Sequence, residues 1–410
     1  MTSRATAVAY AAVVADLLSM QQAQRLILER ARLLPSEPVP LAEASGRVLA
    51  EEALAVVDLP PFASSAMDGF AVRAADTPGE LPVVFRIAAG RPAPRPLEAG
   101  EAMAIATGGA VPEGADAVIP LEYVVEHDNV LVVPESVPDG ANVRPRGGDV
   151  AARDAVLATG TRLGAAQVGA LAAAGIASVS CARRPRAAVL ATGTELRRPG
   201  DQLAPGEIYE SNGLMLAAQL ASAGATVAGP VTVADDEGAH RAALEQALEA
   251  DVVITSGGVS VGPHDLVRRV EAELGVEEVF WRVAVKPGKP LAFGIRGSTL
   301  VFGLPGNPVS SLVGFELFVR PAVLALQGVV DPLPPFEPGT LAAPLRRNAQ
   351  RDELVRAQAT TDGEGIVLKP LGGQESHMIV RAAGANALVL VPRGDGTLEQ
   401  GSLARYLRLP

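Results

Sequence analysis

Between residues 186 and 275 the chain switches repeatedly between two hydrophobic periods, and this alternation restricts its fold more than any other feature. RAAVLATG (186–193), ATVAGPVTV (225–233) and DVVITSGG (251–258) are short apolar runs rich in β-branched residues, the pattern of buried strands. GLMLAAQLASAG (213–224), EGAHRAALEQALEA (237–250) and PHDLVRRVEAELG (263–275) have helical spacing. Strands separated by helices predict a parallel sheet with helices on both faces, whose ligands bind beyond the carboxyl ends of the strands. Thr192, Gly193, Thr194 and Glu195, then Asp235 and Asp236, then residues 256–265, all fall at such ends.

The last of these stretches is the most specific. A strand breaks at Ser256-Gly257-Gly258, passes Ser260, and meets a helix start marked by Gly262-Pro263 with Asp265 just inside. Free N–H groups and a helix dipole suit such a place to an anion, and a carboxylate beside bound anions suggests a bridging metal ion. Downstream, VKPGKP offers Lys286 and Lys289 on a proline-stiffened loop. GLPGNPVS, with Pro305, Asn307, Pro308 and Ser310, opens a helix expected to run to about residue 326, its first N–H groups facing outward.

Around this centre the expectations are coarser. Residues 10–34 have helical periodicity stopped by Pro35, and residues 41–52 read as a second, short helix. LPPFASSAMDGFAVR (59–73) is a turn-rich crossing through Asp68-Gly69 into a strand at 70–73. Residues 81–133 look like a small, mainly β unit, with Thr107 beside two glycines at a strand end. NVRPRGGDV (142–150) places Arg144, Arg146 and Asp149 close together, and paired guanidinium donors suit a phosphate or another oxyanion. A helix at 167–175 and a strand at 178–181 precede the central sheet. After the linker DPLPPFEPG, the remainder alternates short strands and turns, with polar spots at 351–356 and 372–377.

Composition removes several functions. A net charge of −11 argues against a nucleic-acid groove, which needs a basic surface. With one cysteine and four scattered histidines, no disulfide framework or zinc pattern is present. The apolar run at 5–18 is short and broken by Asp16, which reads as an amphipathic helix rather than a secretory signal. No stretch reaches the roughly 18 uninterrupted apolar residues of a membrane span, so the expected location is cytoplasmic, with no membrane or nucleic-acid partner. GVSVG (258–262) matches the nucleophile-elbow pattern, but the helix start falls after the serine, and His377 is the sole later histidine at any distance. No Walker A or dinucleotide fingerprint precedes a helix. The residues themselves thus indicate a metal-dependent, anion-handling transfer site without naming a substrate.

Taken in order, SSAMDGFAV, TGGAVPEGADAV, NVRPRGGD, ATGTEL, SGGVSVGPHD, VKPGKP and GLPGNPVS resemble the molybdopterin molybdenumtransferase (MoeA and gephyrin E-domain) family over nearly the whole chain. The resemblance implies an α/β plus β multidomain protein. Domain I is discontinuous and helical or mixed (10–58 and 141–181), and the mainly β domain II (59–140) is inserted in it. Domain III (182–328) is α/β, binds molybdopterin and resembles the molybdopterin adenylyltransferases; domain IV (329–410) is β-barrel-like. It implies insertion of molybdate into adenylylated molybdopterin, with Mg2+-dependent cleavage of a pyrophosphate bond and release of AMP. A homodimer sharing its site between subunits, and the adenylyltransferase as a further partner, also follow.

Carried over by motif, Asp68, Thr107, Glu195, Asp235 and Asp265 are the catalytic candidates, with Asp265, Asp235, Glu195 and Asp149 for the metal. Arg144, Gly257, Gly258, Ser260, Lys286, Lys289, Pro305, Asn307, Pro308, Ser310, Arg356 and Ser376 are the substrate-binding candidates. Ala63, Gly148, Thr194 and Arg282 depart from residues common in the family, namely Asp, Glu, Asp and Lys. The alternatives are a molybdopterin-binding scaffold without insertase activity and an insertase preferring tungstate.

Overall fold

A computed structural model of the protein describes residues 17–234, 236–257, 266–363 and 365–409. The chain forms two compact units: Pro38–Cys181, and a larger one built from the chain before Pro38 and after Cys181. Helix α1 (Met20–Leu28) belongs to the larger unit and is shorter than its periodicity suggests. Its start is set by a capping box in which Ser19 and Gln22 each accept the other's backbone N–H, at 3.1 and 2.8 Å. The expected helix residues before position 17 lie outside the described residues.

The expected helix at 41–52 is absent. A single 3-10 turn at Leu41–Glu43 gives way to extended chain, because its backbone donors find distant partners instead of carbonyls one turn back. Gly46 N–H reaches Leu163 O at 2.7 Å, Leu49 N–H reaches Thr161 O at 3.0 Å, and Ala50 N–H reaches Ser180 O at 2.9 Å. The apolar residues that mimicked a helical stripe, Ala44 and Leu49, are buried with Leu163, Leu171 and Cys181.

The rest of the smaller unit is a six-stranded sheet of β1 (Gly69–Val72), β2 (Gly79–Ile87), β3 (Ala102–Ile105), β4 (Ala117–Pro120), β5 (Val125–His127) and β6 (Val130–Val133). Its order is β4-β1-β3-β2-β6-β5, antiparallel except where β2 meets β3. Residues of β1 alternate between two cores, Phe70 and Val72 on one face and Ala71 on the other. Gly69 is fixed by contact: a Cβ there would lie 2.0 Å from Ile119 O. Helix α2 (Ala165–Ala173) packs Leu171 into the remaining core.

In the larger unit a seven-stranded sheet is built from β7 (Arg186–Thr192), β8 (Thr226–Val227), β9 (Val231–Val233), β10 (Val252–Ser256), β11 (Glu277–Trp281), β13 (Ala292–Arg296) and β14 (Thr299–Leu304); β12 (Val285–Lys286) lies elsewhere. The strands β8, β9, β7, β10 and β14 are parallel as expected. The sheet as a whole is mixed, because β13 and β11 add antiparallel to β14 as a meander. Helices do cover both faces. Val189, Ile254 and Phe302 pack against α3 (Asn212–Ser222) and α6 (Pro308–Gly314), while Leu190, Val253 and Val301 meet α4 (Glu237–Ala247) and α5 (Leu266–Glu273).

Helix α6 continues through one π turn (Phe315–Val319) into Arg320–Leu326. The span Pro308–Leu326 is long and apolar enough to cross a membrane by composition, yet 78% of it is buried inside the protein, as in a core helix. The C-terminal region is a closed five-stranded barrel of β15 (Phe336–Leu341), β16 (Asp352–Asp362), β17 (Gly365–Pro370), β18 (Ala387–Val391) and β19 (Leu403–Arg408). Along β16, Val355, Ala357 and Ala359 fill the barrel while Leu354 faces the α/β core.

A Gly69→Ala substitution should lower the smaller unit's stability by about 1–3 kcal/mol, the usual cost of overpacking. Thermal unfolding checks this; an unchanged midpoint would show that β4 yields without cost.

Candidate active site

Parallel pairing sets the frame. Ala191, Ser256 and Leu304 are register partners across β7, β10 and β14, so the three strands end level and their loops leave together. Gly257 is where they approach most closely: its φ is +94°, and a Cβ there would lie 2.7 Å from Thr192 O. Its N–H bonds Leu304 O at 3.2 Å, so this glycine spaces the loop rather than donating to an anion. Glu195 is exposed just past β7, and its carboxylate occupies the space beside Gly193 that a Cβ would fill, 2.5 Å from that position. Asp236 caps α4 by accepting Ala239 N–H at 2.8 Å. Asp235, Gly258, Ser260 and Asp265 lie outside the described residues.

One residue at this edge escaped sequence reading. Asn212, at the start of α3, donates from Nδ2 to Ser256 Oγ (2.9 Å) and to Gly306 O (2.8 Å). The available signal was a polar side chain opening a helix that follows a strand end, a place where a cap is the ordinary reading.

Beyond β14, Pro305 and Ser310 are buried, Asn307 is exposed, and Pro308 occupies the first turn of α6. Ser311 Oγ donates to Pro305 O, which pins the loop. The outward N–H groups expected here are partly used: Val309 N–H donates to Ser376 O at 3.0 Å. Ser376 therefore reaches the site through its carbonyl. Lys286 sits on β12, which adds in parallel to β16, and its Nζ is 2.9 Å from Glu353 Oε1. Lys289 is exposed, and its carbonyl accepts Val283 N–H at 3.1 Å.

Arg282, at the departure from the common lysine, has φ +78° and its guanidinium 3.7 Å from the Trp281 ring centroid; Arg268 lies 4.4 Å from the same ring. A planar guanidinium stacks on indole in a way an ammonium does not, so its position is fixed.

Arg356 was expected to contact an oxyanion, and its placement revises that role. It is 2% exposed, and its donors go to Gln374 Oε1 (3.3 Å), Met378 O (2.9 Å), Gly373 O (2.8 Å) and Glu375 O (3.2 Å). Burial pushes its pKa below the ordinary guanidinium value. It holds the loop that carries Ser376, in place of a ligand.

The smaller unit gathers its own motifs. Thr107 N–H donates to Asp68 Oδ1 at 2.7 Å, and Gly108 N–H to Ser65 O at 2.9 Å. Val143 and Arg144 pair antiparallel with Ser65 and Ser64, which brings a third motif to the same place. Asp68, Thr107, Arg144 and Asp149 are all exposed. Arg146, the other arginine of that motif, is paired with Asp58, so Arg144 is the one left to meet an anion. The Ala152 N–H and then Arg146 hold the Asp58 carboxyl below its usual pKa. Among the described residues no three His, Cys, Asp or Glu side chains cluster as a metal site.

A multidomain chain whose α/β sheet ends three parallel strands side by side, with a closed barrel in the same unit, has the architecture of a multidomain transferase. Family models match along its length. They are the MoeA N-terminal region (domains I and II) over 18–175, a probable molybdopterin binding domain over 188–325, and the MoeA C-terminal region (domain IV) over 338–409. Molybdopterin molybdenumtransferase 2 of Mycobacterium tuberculosis is 38% identical over 91% of this chain and 95% of its own. Molybdopterin molybdenumtransferase of Staphylococcus epidermidis is 33% identical over 94% of each. The crystal structure of the molybdopterin biosynthesis MoeA protein from Pyrococcus horikoshii superposes with a TM-score of 0.81 at 28% identity, covering 96% of this chain and 100% of that one. This chain belongs to the molybdopterin molybdenumtransferase family, enzymes of molybdenum cofactor biosynthesis.

Truncating Arg356 to Ala should loosen residues 371–378 and cost about 2–4 kcal/mol, since several buried carbonyls lose a charged donor. Hydrogen exchange at Leu371 N–H, bonded to Arg356 O at 2.9 Å, reads this; unchanged protection would refute the role. The depressed Asp58 pKa gives a pH test with a definite sign. The Asp58 clasp on Ala152 is present above the unfolded carboxylate pKa and is lost as pH falls through the lower folded value. Exchange of the Ala152 amide should therefore accelerate only in acid, and Asp58→Asn should abolish that step.

Proposed function

We propose that the chain inserts molybdate into adenylylated molybdopterin in a Mg2+-dependent reaction that breaks the substrate's pyrophosphate bond and releases AMP. The observation that supports this most is the level register at which β7, β10 and β14 end, within the segment matching the molybdopterin-binding family model. Such an end offers fixed backbone dipoles to a phosphate without a basic surface.

The residues fit Mg2+. The space left by Gly193 is filled by the Glu195 carboxylate, an exposed hard oxygen donor beside the strand ends. Mg2+ takes few protein carboxylates and completes its shell with water and phosphate oxygens, so Glu195 with Asp265 and Asp235 is a sufficient set. When bound, it neutralises phosphate-oxygen charge as the pyrophosphate bond breaks.

Lys286 and Lys289 draw the tetrahedral oxyanion to the loop, and Glu353 holds the Lys286 ammonium in place. Pro305 to Ser310 form a stiff wall that loses little entropy on binding. In the proposed homodimer, Asp68, Thr107, Arg144 and Asp149 of the partner subunit complete the cleft. The protein acts in the cytoplasm on substrate from a molybdopterin adenylyltransferase, a candidate partner.

Purified protein given adenylylated molybdopterin, Mg2+ and molybdate should release AMP only when molybdate is present. Asp265→Ala and Lys286→Ala should each lower the rate about 100-fold or more at unchanged fold, the scale for removing one charge-stabilising group. Absence of AMP with both molybdate and tungstate would sink the reading.

A further inference from the structure

We propose that Asn212 is a positioning residue that fastens the end of β10 to the loop after β14, beside the proposed substrate; this builds on the insertase reading. Its side chain is 8% exposed, and Nδ2 donates at once to Ser256 Oγ (2.9 Å) and Gly306 O (2.8 Å). A carbonyl only accepts, so the Gly306 contact fixes which end of the amide faces the loops. One amide hydrogen serves the end of β10 and the other the loop after β14. Ser256 is the last residue of β10, and the Gly257 N–H bond to Leu304 O (3.2 Å) is adjacent, so the amide sits where the sheet ladder ends.

Stability alone does not account for this choice. Asn212 Oδ1 is buried without a hydrogen-bond partner, as is Thr192 Oγ1 on the neighbouring strand end. An unsatisfied buried acceptor is unfavourable, and a small apolar residue at this position would avoid it. The backbone of Asn212 is itself held firmly. Glu210 Oε1 accepts Gly213 N–H at 2.6 Å, and a Cβ on Gly213 would lie 2.8 Å from Pro230 Cβ. The first turn of α3 is thus an anchored base from which one amide reaches both the end of β10 and the loop after β14. A displacement of about 1 Å at groups that position a substrate is enough to cost on the order of 100-fold in rate.

Three variants separate hydrogen bonding from packing. Asn212→Asp keeps the shape but turns an oxygen toward the Gly306 carbonyl, Asn212→Ala removes both arms, and Ser256→Ala removes one. Two readouts are needed: molybdate-dependent AMP release, and hydrogen exchange at the Gly257 and Gly306 amides with thermal unfolding as the fold check. Asn212→Ala and Asn212→Asp should lower kcat/KM for adenylylated molybdopterin by about tenfold or more, chiefly through KM, and Ser256→Ala by less. In Asn212→Ala the pH profile should keep its shape, because neither the amide nor the methyl group that replaces it titrates. Exchange at Gly257 should accelerate in both Asn212 variants, while amides of β18 in the barrel stay protected. Activity within twofold of the parent in Asn212→Asp, or unaltered Gly257 exchange in Asn212→Ala, overturns the proposal. If the parent protein releases no AMP, the insertase reading falls, and the exchange measurement still decides the role of Asn212.

Discussion

The parallel register of β7, β10 and β14 is the constraint on which the rest of the larger unit depends. Both faces of this sheet are buried, with Val189, Ile254 and Phe302 on one side and Leu190, Val253 and Val301 on the other. A slip of one residue would exchange the two sets and set each against the wrong helices, so the register is strongly specified. Because the strands run the same way, fixing the register also fixes where three unrelated loops emerge. Ala191, Ser256 and Leu304 are level for reasons of core packing, and Gly257 turns there because a side chain would meet Thr192 O. The site inherits its precision from the hydrophobic core.

The barrel extends the same logic by alternation. Successive residues of β16 face opposite ways, so Val355 and Ala357 build the barrel while Arg356 between them points outward to the 373–378 loop. That loop returns Ser376 O to the start of α6. Three residues earlier on β16, its pairing with β12 places Lys286 beside Glu353. A single strand thereby connects the lysine loop and the serine loop to one rigid element, and a site on rigid elements holds its geometry better than one on free loops.

Much of this was legible from period and punctuation. The helices at 212–222 and 237–247, the parallel strands and the terminal β region follow from local patterns that tertiary contacts reinforce. What was not legible depended on partners far away in sequence. Residues 41–52 carry a helical stripe, but their N–H groups are claimed by residues 161–163 and 180, which no local window contains. The antiparallel meander of β11, β13 and β14 was hidden because it departs from the strand–helix rhythm that precedes it. Arg356 looked like a free cation in a polar stretch. Its saturation by four groups of a later loop is a tertiary fact. Asn212 differs again, since one residue type serves both as a helix cap and as a bridge between loops, and only the positions of Ser256 and Gly306 separate the two.

For a chain of net charge −11, the proposed polyanionic substrate poses an electrostatic question. At physiological ionic strength charges act over about 8 Å, so the acidic surface as a whole is screened from the bound anion. Inside that radius the sign is set by Lys286, Lys289 and the strand-end dipoles. The exposed carboxylate of Glu195 would repel phosphate if left alone. A divalent cation held by that carboxylate would offset the repulsion. In the proposed function the exposed acid and the anion are reconciled by a cation brought alongside the substrate, so the Mg2+ and substrate proposals are tested together.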